Sequence, residues 1–203
     1  MIMTEWFKEF WPLALLLVAV TVGAAFMFRL AAKSSARHRR SFKAEEEYIT
    51  HLKALKDKYV PLTAEAIESA PGEELLEGAA LGIQLYLQKQ ENDEKAFEEL
   101  SDAKKFVYTL DVFESDKTLL NFFRSNSAIL KTRFIPALEA VGVTERLSEI
   151  KRVALMFDER DETVSYSEKE IAALDAELEK DCLLSEIKLA GAEYIKKNPE
   201  MFL

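Results

Sequence analysis

The chain has 203 residues, 49% apolar and 31% charged, with a formal net charge of −9, the profile of a folded protein rather than a disordered one. Six Gly and five Pro argue against a collagen-like or turn-dense all-β chain, and one Cys with two His excludes a disulfide scaffold or a Cys/His zinc module. The average charge conceals a split: residues 1–43 carry seven basic and two acidic side chains, a net of +5, and the remainder carries 20 basic and 34 acidic, a net of −14.

After a short flank over residues 1–9, an uncharged run from Phe10 to Phe28 extends for 19 residues. As a helix it spans about 28 Å, close to a hydrocarbon core of about 30 Å. Thr21 is the one polar position, aromatic residues stand at both ends, and Pro12 falls in the first turn, where a missing N–H costs little. A cleaved signal peptide needs a basic leader. Here Glu5, Lys8 and Glu9 precede the run and the basic cluster follows it. Residues 10–28 therefore read as a single-pass transmembrane helix and 29–43 as a basic juxtamembrane segment. Six basic residues between Arg29 and Lys43 place the N-terminus outside and the C-terminal part in the cytoplasm, at the cell membrane.

Residues 44–203 carry helix punctuation and almost no strand alternation. Tyr48, Leu52, Leu55 and Tyr59 make a first stripe ending at Pro61. A turn of helix over Thr63–Ser69 and the Pro71-Gly72 break precede a broad apolar helix with Leu75, Ala79, Ile83 and Leu87, widened by Leu76, Leu81 and Tyr86. Phe106, Leu110 and Phe113 mark the next helix. TLLNFFRSNSAIL follows as one segment, then KTRFIPALEAVGV with Gly142 as its cap. Thr144 opens a helix striped by Leu147, Ile150, Ala154 and Phe157. Asp158–Glu162 reads as a loop. Ser167 and Glu170 have capping-box spacing ahead of Ile171, Leu174 and Leu178, and a last helix runs over about Cys182–Lys197 to Asn198-Pro199. The fold expected is all-α: an anchor helix followed by a compact cytoplasmic helical bundle.

No catalytic constellation, cofactor loop or metal-ligand spacing emerges, so no catalytic residue, metal site or cofactor is assigned. Cys182 reads as a small buried hydrophobe, and His51 as a surface side chain. Acidic runs such as Glu98-Glu99 and Asp158–Glu162 fit a solvated helix face or a surface that recruits a basic protein. The same sign argues against direct nucleic-acid binding. Phe122 and Phe123, with Phe134 nearby, fit a core. Alternatively, Asn121, Arg124 and Asn126 line a polar groove beside those aromatics, which would suit an enzyme or a ligand-binding domain. Gly23-Ala24-Ala25 offers small residues for self-association of the anchor, and hence a homo-oligomer.

TLLNFFRSN (Thr118–Asn126), ALEAVGV (Ala137–Val143), LDAEL (Leu174–Leu178) and YIKKNPEMF (Tyr194–Phe202) stand in an order that resembles the DNA mimic protein 19 family. That is an all-helical domain family of mostly unknown function. The resemblance covers about residues 45–203. The last piece carries Tyr-Ile, Asn-Pro and Phe at the family spacing. In the central motif, Asp116, Lys117, Thr118 and Leu119 replace Asn-Gly-Gly-Phe, and losing both glycines implies a different backbone there. The resemblance implies a helical fold and, by the family's precedent of acidic side chains imitating DNA phosphates, a basic or DNA-binding protein partner. The binding residues expected are Glu114, Asp116, Asn121, Phe122, Phe123, Arg124 and Asn126 around the central motif, and Glu98, Glu99, Glu159 and Glu162 on the acidic surface. The function expected is a membrane-anchored, non-catalytic interaction module.

Overall fold

The computed structural model describes residues 46–157 and 167–203. The expected anchor helix over 10–28, the flanks over 1–9 and 29–43, the Gly23-Ala24-Ala25 patch and the loop carrying Glu159 and Glu162 lie outside the described residues. Among those described, every regular element is a helix, and none is long and apolar enough to cross a membrane. Residues 53–203 form one compact unit.

Residues 46–59 are helical (α1). Leu55 and Tyr59 are buried as expected, but Tyr48, placed in the same stripe, is 60% exposed. The chain turns at Pro61 and continues through α2 (Ala64–Ser69), α3 (Gly72–Leu87), α4 (Asp93–Glu99), α5 (Asp102–Asp116), α6 (Leu119–Ser125), α7 (Ala128–Val141), α8 (Leu147–Met156), α9 (Glu168–Lys180) and α10 (Leu183–Lys197). A 3-10 turn, Pro199–Met201, follows.

Local chemistry sets most of these starts. Thr63, Asn92, Ser101, Thr118 and Ser167 each accept, through the side chain, the N–H three residues ahead. Each such cap stabilises a helix by about 1 kcal/mol. Gly142, at φ +85, closes α7 in the left-handed conformation that glycine takes without penalty.

Three boundaries depart from the sequence reading. TLLNFFRSNSAIL is two elements, because Asn126 is extended at ψ 160 and its Nδ2 donates to the Phe122 carbonyl at 2.9 Å. The amide satisfies an orphan carbonyl at the end of α6, and AIL joins α7. The helix assigned to Thr144 begins at Leu147, behind Arg146 at φ +58. Helix α4, not anticipated, is short; only Ala96 and Phe97 are buried on it, too few for a periodic signal.

The central element is α5, which packs on α3, α6, α7 and α10. Ala103, Val107, Leu110 and Phe113 are buried on it, together with Lys105 and Thr109. Val107 occupies the core position expected of Phe106, which is half-buried. Lys105 keeps its ammonium 3.8 Å from Asp102 Oδ1, and Thr109 Oγ1 donates to the Lys105 carbonyl at 2.8 Å. Helix α3 packs on α5 and α10 with Leu75, Leu76, Ala79, Ala80, Leu81, Ile83 and Leu87 buried, whereas Tyr86 is 45% exposed. Gly78 is needed where Tyr59 crosses α3: a Cβ there would stand 2.3 Å from the Tyr59 ring.

An aromatic cluster holds α5, α6 and α7 together. Phe134 lies 4.6 Å from Phe113 and 4.7 Å from Phe122, centroid to centroid. Phe123 meets Phe122 edge-on and stacks on Phe157. At the C-terminus, Asn198 Nδ2 donates to the Tyr194 carbonyl at 2.8 Å. Pro199 opens the final turn, and the buried Phe202 meets Tyr194 edge-on. Tyr194, Asn198, Pro199 and Phe202 thus end α10 and fold the terminus back onto it.

Candidate functional site

Two regions of the 53–203 unit collect the residues singled out from the sequence. The first is an open groove of about 500 Å³ where the end of α5 and the start of α6 face α9 and the start of α10. Its floor is apolar, with Phe113, Leu120, Leu178, Leu183 and Leu184, and Lys117, Asn121, Asp175 and Glu179 lie on its walls.

Asp175, Thr118, Asn121 and Asp116 in this region are engaged in holding the chain. Asp175 Oδ1 accepts from the Leu119 N–H at 2.7 Å and Oδ2 from the Leu120 N–H at 3.4 Å. A carboxylate on α9 thereby caps α6 from across the fold, beside the local cap from Thr118. Burial pushes the Asp175 carboxyl above the usual carboxylate range, and the two N–H bonds offset only part of that rise. Asn121 Nδ2 donates to the Asp116 carbonyl at 3.1 Å, and Asn126 Nδ2 to Asp116 Oδ2 at 2.6 Å. The structure therefore brings Asp116, Asn121 and Asn126 into one hydrogen-bonded set, of which Asn121 alone reaches the groove.

The other central-motif residues disperse. Phe122 and Phe123, expected to bind, are 0% and 2% exposed; they are core, packed on Phe134. Arg124 turns to Glu168 on α9. Glu114 turns away to α10, where its Oε1 meets Lys188 Nζ at 3.1 Å. Lys117 nonetheless takes φ +65, the backbone that the lost glycine would favour. Cys182 is exposed rather than buried. It stands at φ +57 just before α10, a turn position that holds it out of the core. Sequence reasoning missed Asp175 and Glu179 as groove residues, since nothing local links α9 to α6, and it named Lys117 only for its backbone.

The second region is the acidic edge around α4. Glu91, Asp93, Glu94, Glu98, Glu99 and Asp102 are all exposed. Three cations pair with them: Lys95 lies 3.9 Å from Glu99, Arg133 lies 3.8 Å from both Glu98 and Asp102, and the buried Lys105 lies 3.8 Å from Asp102. Exposed pairs at such distances contribute little. Buried Ala96 and Phe97 fix the helix. Beside it a depression of about 260 Å³ is lined by apolar Leu87, Phe97, Ile129 and Leu130 and by Gln84, Gln88, Asp93, Glu94, Tyr108 and Ser127. Among the described residues no group of three His, Cys, Asp or Glu could hold a metal ion.

The chain matches no protein-family model, no curated protein and no solved structure.

Proposed function

We propose that this chain is a single-pass, membrane-anchored, non-catalytic module whose acidic helical domain holds a basic protein partner in the cytoplasm. The observation that carries this reading is the acidic edge: six exposed carboxylates within residues 91–102 against one lysine in that segment, beside a depression of mixed polar and apolar lining. The field of such a surface steers cationic partners, and the depression offers contact once they arrive. The +5 and −14 halves of the sequence support the anchor and its orientation by the positive-inside rule. The resemblance to the DNA mimic protein 19 family belongs to the same reading and makes a DNA-binding protein one form of basic partner.

The test is in-cell crosslinking of the full chain, then detergent extraction and capture at low and high salt. Reproducible recovery of basic proteins, released when salt screens the contact, is expected. Recovery of none contradicts the proposal. The groove at α6 and α9 favours a second reading, a small-ligand or enzymatic site near Asn121. It predicts that a small molecule co-purifies with the wild-type chain, detected by mass spectrometry of the extracted protein, and is absent from Asn121→Ala while folding is retained.

A further inference from the structure

The groove where α5 and α6 face α9 holds two charges that the fold leaves unused. Lys117 caps the end of α5 and Glu179 stands on α9; both line the groove and both are exposed. Among the described residues, neither the Lys117 ammonium nor the Glu179 carboxylate has a hydrogen-bond or ion-pair partner. The groove's other polar side chains are engaged. Asp175 caps α6, Thr118 Oγ1 accepts the Asn121 N–H, and Asn121 Nδ2 donates to the Asp116 carbonyl at 3.1 Å. That last bond occupies the amide nitrogen and leaves Asn121 Oδ1 as an acceptor at the groove.

The rest of the lining is apolar. Leu120 and Leu184 are only half-buried, so they offer hydrocarbon to a ligand. Ala172 and Ala176 lie one turn apart on α9, in line with Glu179, and as alanines they keep the groove open where a longer side chain would fill it. A volume of about 500 Å³ is that of a small-ligand site. A purely apolar ligand would desolvate both charges without answering either. An apolar acid would pair with Lys117 but bring its carboxylate towards Glu179, and an apolar amine would do the reverse. A molecule with an anion and a cation on an apolar body answers both walls. A short peptide of apolar residues has that build, and its amide N–H suits Asn121 Oδ1.

We propose, on the ligand reading of this groove, that it binds a short apolar peptide with free termini, its carboxylate paired with Lys117 and its ammonium with Glu179. The peptide's side chains lie on Leu120 and Leu184, and Asn121 Oδ1 accepts one of its N–H groups. Each terminus meets an exposed partner, so each pairing adds about fivefold to the affinity, and the two together set the direction in which the peptide lies.

The experiment is an NMR titration of the full chain in lipid nanodiscs with leucyl-leucine and with trileucine, read at the methyl groups of Leu120, Ala172 and Leu184. Saturable shifts at these groups are expected with at least one of the two peptides. N-acetylation of that peptide should weaken binding about fivefold in the wild type and leave it unchanged in Glu179→Gln. C-terminal amidation should weaken it about fivefold in the wild type and leave it unchanged in Lys117→Met. Ala176→Leu, which fills the groove, should abolish the shifts. All three positions are exposed, and the wild-type response to the two caps decides the matter should a variant not fold. Binding that ignores either cap, or that survives Ala176→Leu, overturns the proposal. Absence of binding overturns it as well, and co-purification then shows what else falls. A small molecule that accompanies the wild type and not Asn121→Ala leaves the groove a site for another class of ligand; none removes the ligand reading too.

Discussion

The two ends of α5 carry similar polar residue types and use them oppositely. At and past its C-terminal end, Asp116, Asn121, Asn126 and Asp175 have their carboxyl and amide groups bound to backbone or to one another. Before its N-terminal end, Glu91, Asp93, Glu94, Glu98 and Glu99 stand in solvent; Glu99 and Glu98 meet cations only at 3.9 and 3.8 Å, and Asp93 Oδ1 accepts from the adjacent Glu94 N–H at 2.9 Å. Polar groups engaged inside the fold stabilise it and have little left for a partner. Polar groups left in water contribute almost nothing to stability and remain available. The contrast separates residues whose loss unfolds the unit from residues whose loss blinds it.

Breaking the aromatic cluster under the C-terminal end should have the largest effect. Phe134→Ala removes a fully buried ring that touches Phe113, Phe122 and Phe123, and should cost about 3–5 kcal/mol in urea unfolding. Removing the cross-fold cap comes next. Asp175→Ala leaves two N–H groups at the start of α6 without their acceptor and should cost about 1–2 kcal/mol by the same measurement, with partner capture unchanged. Lys117→Gly should raise stability by about 0.5–1 kcal/mol, because the glycine relieves a positive φ at the end of α5. At the other end, neutralising Asp93, Glu94, Glu98 and Glu99 together should move the unfolding free energy by less than about 0.5 kcal/mol per site, while removing the salt-sensitive part of partner capture.

Much of this contrast was hidden in the sequence, for physical reasons. Leu75, Leu110, Ile150, Ile171 and Ile187 repeat within stripes near the 3.6-residue period, so the long helices were legible. Tyr48 and Tyr86 kept the period but not the burial; spacing alone does not say where a stripe runs off the packed face. Helix α4 buries only Ala96 and Phe97, and the cap at Asn92 was its one local signal. LDAEL marked the helix that carries Asp175 but not its role, because its hydrogen bonds reach back 56 and 55 residues to Leu119 and Leu120, a tertiary fact. The aromatic pair at 122 and 123 could be seen as core or as groove; the close packing of Phe134 decides for core.

The most direct test of the central claim compares two variants of the full chain in one crosslinking and capture experiment. One carries Asp93→Asn, Glu94→Gln, Glu98→Gln and Glu99→Gln, and the other carries Asn121→Ala in the groove. Loss of the basic partners from the α4 variant at unchanged stability, with capture by the groove variant intact, is the result expected. Undiminished capture by the α4 variant would contradict the assignment of binding to the acidic edge.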